Sequence, residues 1–112
     1  MYKRQLLTLV SEDVLASAIS TVNPDGIAAL VEIASIPNYQ FNSKDDFVLV
    51  LDRIQDPGNM GNLFRTALAA GVDAIFLAGG AHPLSQKVLR ASTGAVFNLP
   101  FKRYEGLSLI HI

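Results

Sequence analysis

Four side chains suited to binding an anion, Asn59, Asn62, Arg65 and Thr66, lie close together in the stretch "LDRIQDPGNMGNLFRTALAAGVDAIFLAGG", residues 51–80. A guanidinium keeps its charge in ordinary protein surroundings, and carboxamides and hydroxyls both donate and accept, so the set suits a phosphate or a sugar hydroxyl. At helical spacing Asn62 and Thr66 are one turn apart, and Arg65, one turn on from Gly61, stands beside them. The four then form a polar strip that begins at a helix N-terminus, where backbone N–H groups and the helix dipole favour negative charge. Two readings stay open on spacing alone, an anion site at the helix mouth and a solvated helix face.

The strip needs a helix held at the tip of a strand. Asp56-Pro57-Gly58 supplies a turn in which proline presets one dihedral and glycine permits the next, and Asn59 is placed to cap the helix that follows. Gly61 would let another backbone or a ribose come close to the first helical turn. The helix is expected over 59–70, with Leu63, Phe64, Ala67 and Leu68 covering a sheet and Gly71 as the C-terminal glycine. "FVLVL", residues 47–51, and "AIFLA", residues 74–78, carry no polar residue on either face, the pattern of parallel strands covered on both sides. Strand, helix, strand in this order implies a right-handed crossover and an α/β fold, and ligands of such sheets gather at the carboxyl ends of the strands.

Beyond this unit, "GGAHP" reads as a loop, "LSQKVLRAS" as a short helix and "AVFNLPF", residues 95–101, as a third strand in which Pro100 would be disturbing if the strand were central. Ser92, Thr93 and Gly94 either line the site or form a helix C-cap and turn. His82, a lone histidine before proline, is read as incidental. Upstream, "SEDVLASAIS" predicts a short amphipathic helix with Ser11 as N-cap. "TVNPDG" predicts a turn and "IAALVEIA", residues 27–34, a strand. The polar run 35–46 reads as a linker. One helix and one strand are too few to close a core, so residues 1–34 look like the C-terminal remnant of an N-terminal domain.

The 112 residues are half hydrophobic, with nine basic and ten acidic side chains and a net charge of −1. No global field therefore draws in nucleic acid or an anionic membrane, and any nucleic-acid contact must be local. The basic tilt after Ser85, from Lys87, Arg90, Lys102 and Arg103, is weak enough for a solvated face. The absence of cysteine excludes disulfides and thiolate chemistry, and a cytoplasmic location is the default. No run reaches the ~18–20 apolar residues of a membrane span. The turn lacks G-x-G-x-x-G or P-loop spacing, which argues against dinucleotides and nucleoside triphosphates.

Residues 51–80 closely resemble the first motif of the SpoU (TrmH) class of RNA ribose 2′-O-methyltransferases, in the SPOUT superfamily. The resemblance rests on Asp56-Pro57-Gly58-Asn59, Gly61, Arg65-Thr66-Ala67 and Gly71, and continues through "PLSQKVLRASTGAVFNLPF". "SEDVLASAISTVNPDGIAALVEI" is similar to the end of the ribosomal-protein-like RNA-binding domain that many such enzymes carry. The fold it implies is a partial SPOUT-type, Rossmann-like parallel sheet with flanking helices, whose trefoil-knot segment is missing. The implied domains are residues 1–34, a linker at 35–46, and the N-terminal half of a SpoU methyltransferase domain at 47–112.

The resemblance implies methyl transfer from S-adenosylmethionine to a ribose 2′-hydroxyl of tRNA or rRNA. Arg65 matches the catalytic arginine and Asn59 the motif asparagine that orders the site. Asn62, Thr66 and Gly61 are then candidate substrate contacts. The family's second motif, a glycine-glutamate turn, and its third, a Ser-Leu-Asn stretch, are not in these residues. They form the knot and most of the donor pocket. The expectation is therefore a fragment that binds no S-adenosylmethionine alone and is inactive alone, from a complete enzyme that is a homodimer. The competing expectation is a non-catalytic RNA- or phosphate-binding α/β module.

Overall fold

In the computed structural model the described residues are 7–19, 25–32 and 44–104. The chain divides into two compact units, Met1–Val31 and Glu32–Ile112. In the first, helix α1 spans Glu12–Ala18; the Ser11 side chain caps it by accepting from the Val14 N–H, and Glu12 and Asp13 occupy its first turn. The strand expected over 27–34 is not formed in its described part: residues 25–32 carry no regular hydrogen-bonded structure, and Ile27 and Leu30 are exposed. A strand needs a partner to bond, and β-propensity supplies none. The rest of that segment, the start of "TVNPDG" and most of the 35–46 linker lie outside the described residues.

Among its described residues the second unit runs β1 (Val48–Asp52), α2 (Pro57–Ala69), β2 (Ala74–Ala78), α3 (Gln86–Ser92) and β3 (Phe101–Tyr104), with a 3-10 turn at Ala95–Phe97. The three strands are parallel and ordered β1-β2-β3, with Val48 opposite Ala74 and Ile75 opposite Phe101. Side chains alternate across a strand, so Leu51, Ile75 and Leu77 share one face with Phe101. On that face Met60, Phe64 and Ala67 of α2, Val88 of α3, and Val96 and Leu99 complete a continuous core. Phe64 meets Phe101 edge-on, with ring centroids 5.7 Å apart. On the other face Ala74 and Phe76 pack with Val48 and Tyr104.

Three expectations about this unit are corrected. β1 is not covered on both sides: Val50 is 45% exposed, and only central β2 is buried along its whole length. The helix face toward the core is led by Met60 and Phe64, whereas Leu68 is partly exposed. The third strand begins at Phe101, because Gly94 (φ 89°) starts a 3-10 turn closed by Phe97 N–H to Gly94 O and Asn98 N–H to Ala95 O. Pro100 immediately precedes the strand, and its carbonyl still accepts from Ile75 N–H at 3.0 Å. Proline lacks a donor but keeps its acceptor, so it fits at a strand entrance.

At the amino end of the sheet one carboxylate joins two strands. Asp73 Oδ2 accepts from the N–H groups of Asp46 (3.0 Å) and Phe47 (2.9 Å), while Asp73 N–H donates to Phe47 O at 2.7 Å.

Candidate functional site

The site is built where β1 turns into α2. Asp56, with extended backbone, is the N-cap: its Oδ2 accepts from Asn59 N–H at 2.8 Å, and its carbonyl accepts from Met60 N–H at 3.0 Å. Pro57 takes the first helical position, where its missing donor costs nothing. The helix therefore starts two residues before the expected start, and Asn59 is not its cap but the third helical residue. Its carboxamide is not used as the cap, and the residue is exposed.

This cap changes the electrostatics of the mouth. A carboxylate already sits against the positive end of α2 and occupies one of its N–H donors, and a second donor is absent at Pro57. An incoming phosphate would meet the Asp56 charge there, so the anion site expected at the helix mouth is disfavoured.

The polar strip itself is real and lies along the helix. Asn59, Asn62, Arg65 and Thr66 are all exposed, opposite the core-facing Met60, Phe64 and Ala67. At 1.5 Å per residue Arg65 lies about 12 Å along the axis from Pro57, well past the first turn to which the dipole effect is confined. Helical side chains lean toward the N-terminus, and an arginine stem is long enough to reach back along the strip toward Asn62. Arg65 makes no hydrogen bond or ion pair among the described residues. Its full fork of donors is available.

Of the two close neighbours expected for Gly61, a backbone or a ribose, the structure shows a backbone. Gly61 is buried, and a Cβ there would overlap the Ala91 side chain and come within 2.8 Å of Ala91 C and Ser92 N. The close neighbour it admits is α3. Gly61 and Arg65 are four apart and share a stripe, so Arg65 emerges on the α3 side of the strip.

Ser92, Thr93 and Gly94 resolve as a C-cap and turn. Ser92 is buried with its hydroxyl donating to Leu89 O at 2.9 Å, and Thr93 (φ 48°) and Gly94 are left-handed. His82 is exposed and turns its Nδ1 to accept from Leu84 N–H at 3.1 Å, a local turn contact.

The rim beside the strip, at the carboxyl ends of the strands, is tied together by main-chain bonds. Arg53 N–H donates to Ala78 O (2.8 Å), Ala81 N–H to Ile54 O (2.8 Å) and Gly79 N–H to Tyr104 O (2.9 Å). Gly80 (φ 82°) lies so close to Ile54 that a Cβ would come within 2.8 Å of the Ile54 nitrogen. Arg103 Nη2 donates to Gly80 O at 3.1 Å.

Arg53 is the residue that spacing did not flag. Its φ is 52°, the left-handed region, although it is not glycine. Such a conformation costs a residue with a Cβ about 1–2 kcal/mol. Its Nε donates to Asp52 Oδ1 at 3.0 Å and its Nη2 to Asp52 Oδ2 at 3.4 Å, with the arginine side chain 74% exposed. An exposed pair contributes about 0.2–1 kcal/mol, which does not offset the strain.

The SpoU rRNA methylase family model matches residues 46–110, more than half of the chain. The chain belongs to the SpoU rRNA methylase family. It is 43% identical over 105 residues to an uncharacterized tRNA/rRNA methyltransferase of Synechocystis sp., covering 88% of this chain and 36% of that protein. It is 38% identical to the 23S rRNA (guanosine(2553)-2′-O)-methyltransferase of Bacillus subtilis, covering 85% of this chain and 37% of that one. The crystal structure of an AdoMet-bound rRNA methyltransferase from Sinorhizobium meliloti superposes with a TM-score of 0.63 at 32% identity, covering 83% of this chain and 36% of that one. The α/β sheet described above is thus the corresponding part of a SPOUT-type fold. The chain spans little more than a third of the length of the relatives it matches.

The two glycines where a Cβ would clash with backbone, Gly61 and Gly80, are filled by α3 and by Ile54 and leave no cradle beside them. Neither of these two glycines offers a cradle for a methyl donor. The exposed strip carries only polar groups suited to a sugar-phosphate.

Proposed function

We propose that this chain is the RNA-facing part of an enzyme that methylates a ribose 2′-hydroxyl of tRNA or rRNA, with S-adenosylmethionine as methyl donor. What carries the reading is Arg65, exposed and unpaired among the described residues on a face flanked by Asn62 and Thr66. The family and its methyltransferase relatives supply the reaction class.

A ribose hydroxyl is a poor nucleophile while it holds its proton. A guanidinium is a poor base, but the planar fork of Arg65 can hold a phosphate and still face the adjacent 2′-oxygen. Charge that develops on that oxygen is stabilised by the fixed guanidinium. Asn59 and Asn62 offer further donors and acceptors along the sugar-phosphate, and Thr66 a hydroxyl. Since Asp56 caps the helix, the dipole adds little, and Arg65 acts through its own charge. Gly61 supports the strip from beneath by seating α3.

The same reading takes the complete protein to be a cytoplasmic homodimer, and residues 1–34 to be the end of an RNA-binding domain. Sedimentation of the complete protein tests the first of these.

The experiment is methyl transfer from labelled S-adenosylmethionine to bulk tRNA and to rRNA, by a protein carrying this chain with the glycine-glutamate and Ser-Leu-Asn motifs. A ribose 2′-O-methyl makes the neighbouring phosphodiester resistant to alkali, which locates the label. Arg65→Lys is expected to lose most of the turnover, because a point charge does not reproduce the fork. Turnover close to wild type in that variant, or label confined to bases, would contradict the proposal. A non-catalytic phosphate-binding module is the weaker reading, since the Asp56 carboxylate stands at the mouth it would use.

A further inference from the structure

We infer that Arg53 is a second RNA-phosphate contact, separate from the polar strip of α2 and set at the tip of β1; this rests on the RNA reading proposed above. The chain pays at this position for a side chain that its own fold does not need. Arg53 N–H must reach Ala78 O and the next residue must pass beneath Gly80, which forces the backbone into the left-handed region (φ 52°). Glycine or asparagine would take that conformation more easily. An arginine held there, at the carboxyl end of a strand, is an outlier of the kind that gathers at ligand sites.

The side chain is also aimed. Asp52 engages Nε and one face of Nη2, and the stem passes Gly79, whose absent Cβ would lie 3.6 Å from Arg53 Cγ. Of five N–H donors the Asp52 carboxylate takes two, leaving three directed to solvent from a side chain that is largely exposed. Asp52 thus fixes the fork and leaves donors for one phosphate. Arg103 donates to Gly80 O and so braces the same turn. Asp52, in contact with Arg53, and Asp56, three residues on in the chain, are acidic. They limit the local field, so the contact is a geometric one to a single phosphate rather than a general basic patch.

The test is binding of fluorescently labelled bulk tRNA and a labelled rRNA transcript to the 112-residue chain, titrated at several KCl concentrations, beside thermal melts. Arg53→Gly and Arg53→Asn are expected to melt at or above the wild-type temperature, to bind about 3–10-fold more weakly, and to show a salt slope shallower by about one phosphate. Wild-type affinity and slope in both variants overturn the inference, as does a large fall in melting temperature in both, which would make Arg53 structural. Arg65→Ala separates the two claims. If it weakens binding while the Arg53 variants do not, only the Arg53 contact fails; if the wild-type chain binds neither RNA, the RNA reading fails with it.

Discussion

Gly61 of α2 and Ala91 of α3 are in such close contact that a single added carbon on Gly61 would overlap the Ala91 methyl. The contact fixes the spacing of the two helices one turn away from Arg65. A helix-interior glycine costs about 1 kcal/mol relative to alanine, so its presence here reflects packing and not propensity.

Gly61→Ala is therefore expected to destabilise the domain despite its better helix propensity. Overpacking against backbone costs about 1–3 kcal/mol, and the propensity gain offsets about 1 of these. Ala91→Gly in the same chain relieves only part, because Ala91 C and Ser92 N remain 2.8 Å from the new carbon. Urea-denaturation midpoints of the single and double variants check both statements.

Asp56→Ala removes the side-chain cap of α2 and should cost about 1 kcal/mol, whereas Asp56→Asn keeps an acceptor and should cost much less. Both changes also take a negative charge from the helix mouth. Inorganic phosphate should then raise the melting temperature of Asp56→Asn more than that of the wild type, which thermal melts with and without phosphate would reveal.

Asp73→Ala cuts both side-chain bonds to the start of β1 while leaving Asp73 N–H to Phe47 O in place. About 1–2 kcal/mol should be lost, the sum of two exposed charge-assisted bonds. Hydrogen exchange offers the sharper check: the amides of Asp46 and Phe47 should speed up far more than those of β2.

Much of this was legible in the residues. The βαβ order, the two main strands, the polar strip and Gly71 as the helix-ending glycine all follow from periodicity and turn chemistry, and the resemblance to the SpoU class rests on the same stretch that the family model matches. The errors have physical causes. Asn59 and Asp56 are both good caps, and spacing alone did not show that Pro57 would sit inside the helix, which hands the cap to Asp56. Gly61 signalled a close approach correctly, but a sequence does not say what approaches. Residues 95–101 have strand-like composition, yet two left-handed residues at Thr93 and Gly94 spend that segment on a turn. Arg53 gave no signal at all, because its strain arises from Gly80 and Ala78, distant in sequence and adjacent only once the sheet is formed.

The crossed amides of Arg53, Gly79 and Ala81 each end on a carbonyl of a different segment from their own. No one of these loops can open without breaking a bond held by another, so their amides should exchange with solvent in concert, at one shared free energy. A nucleic acid arriving at this edge would then meet a preformed ledge, and its fit would be settled by the shape of the RNA more than by any rearrangement of the protein.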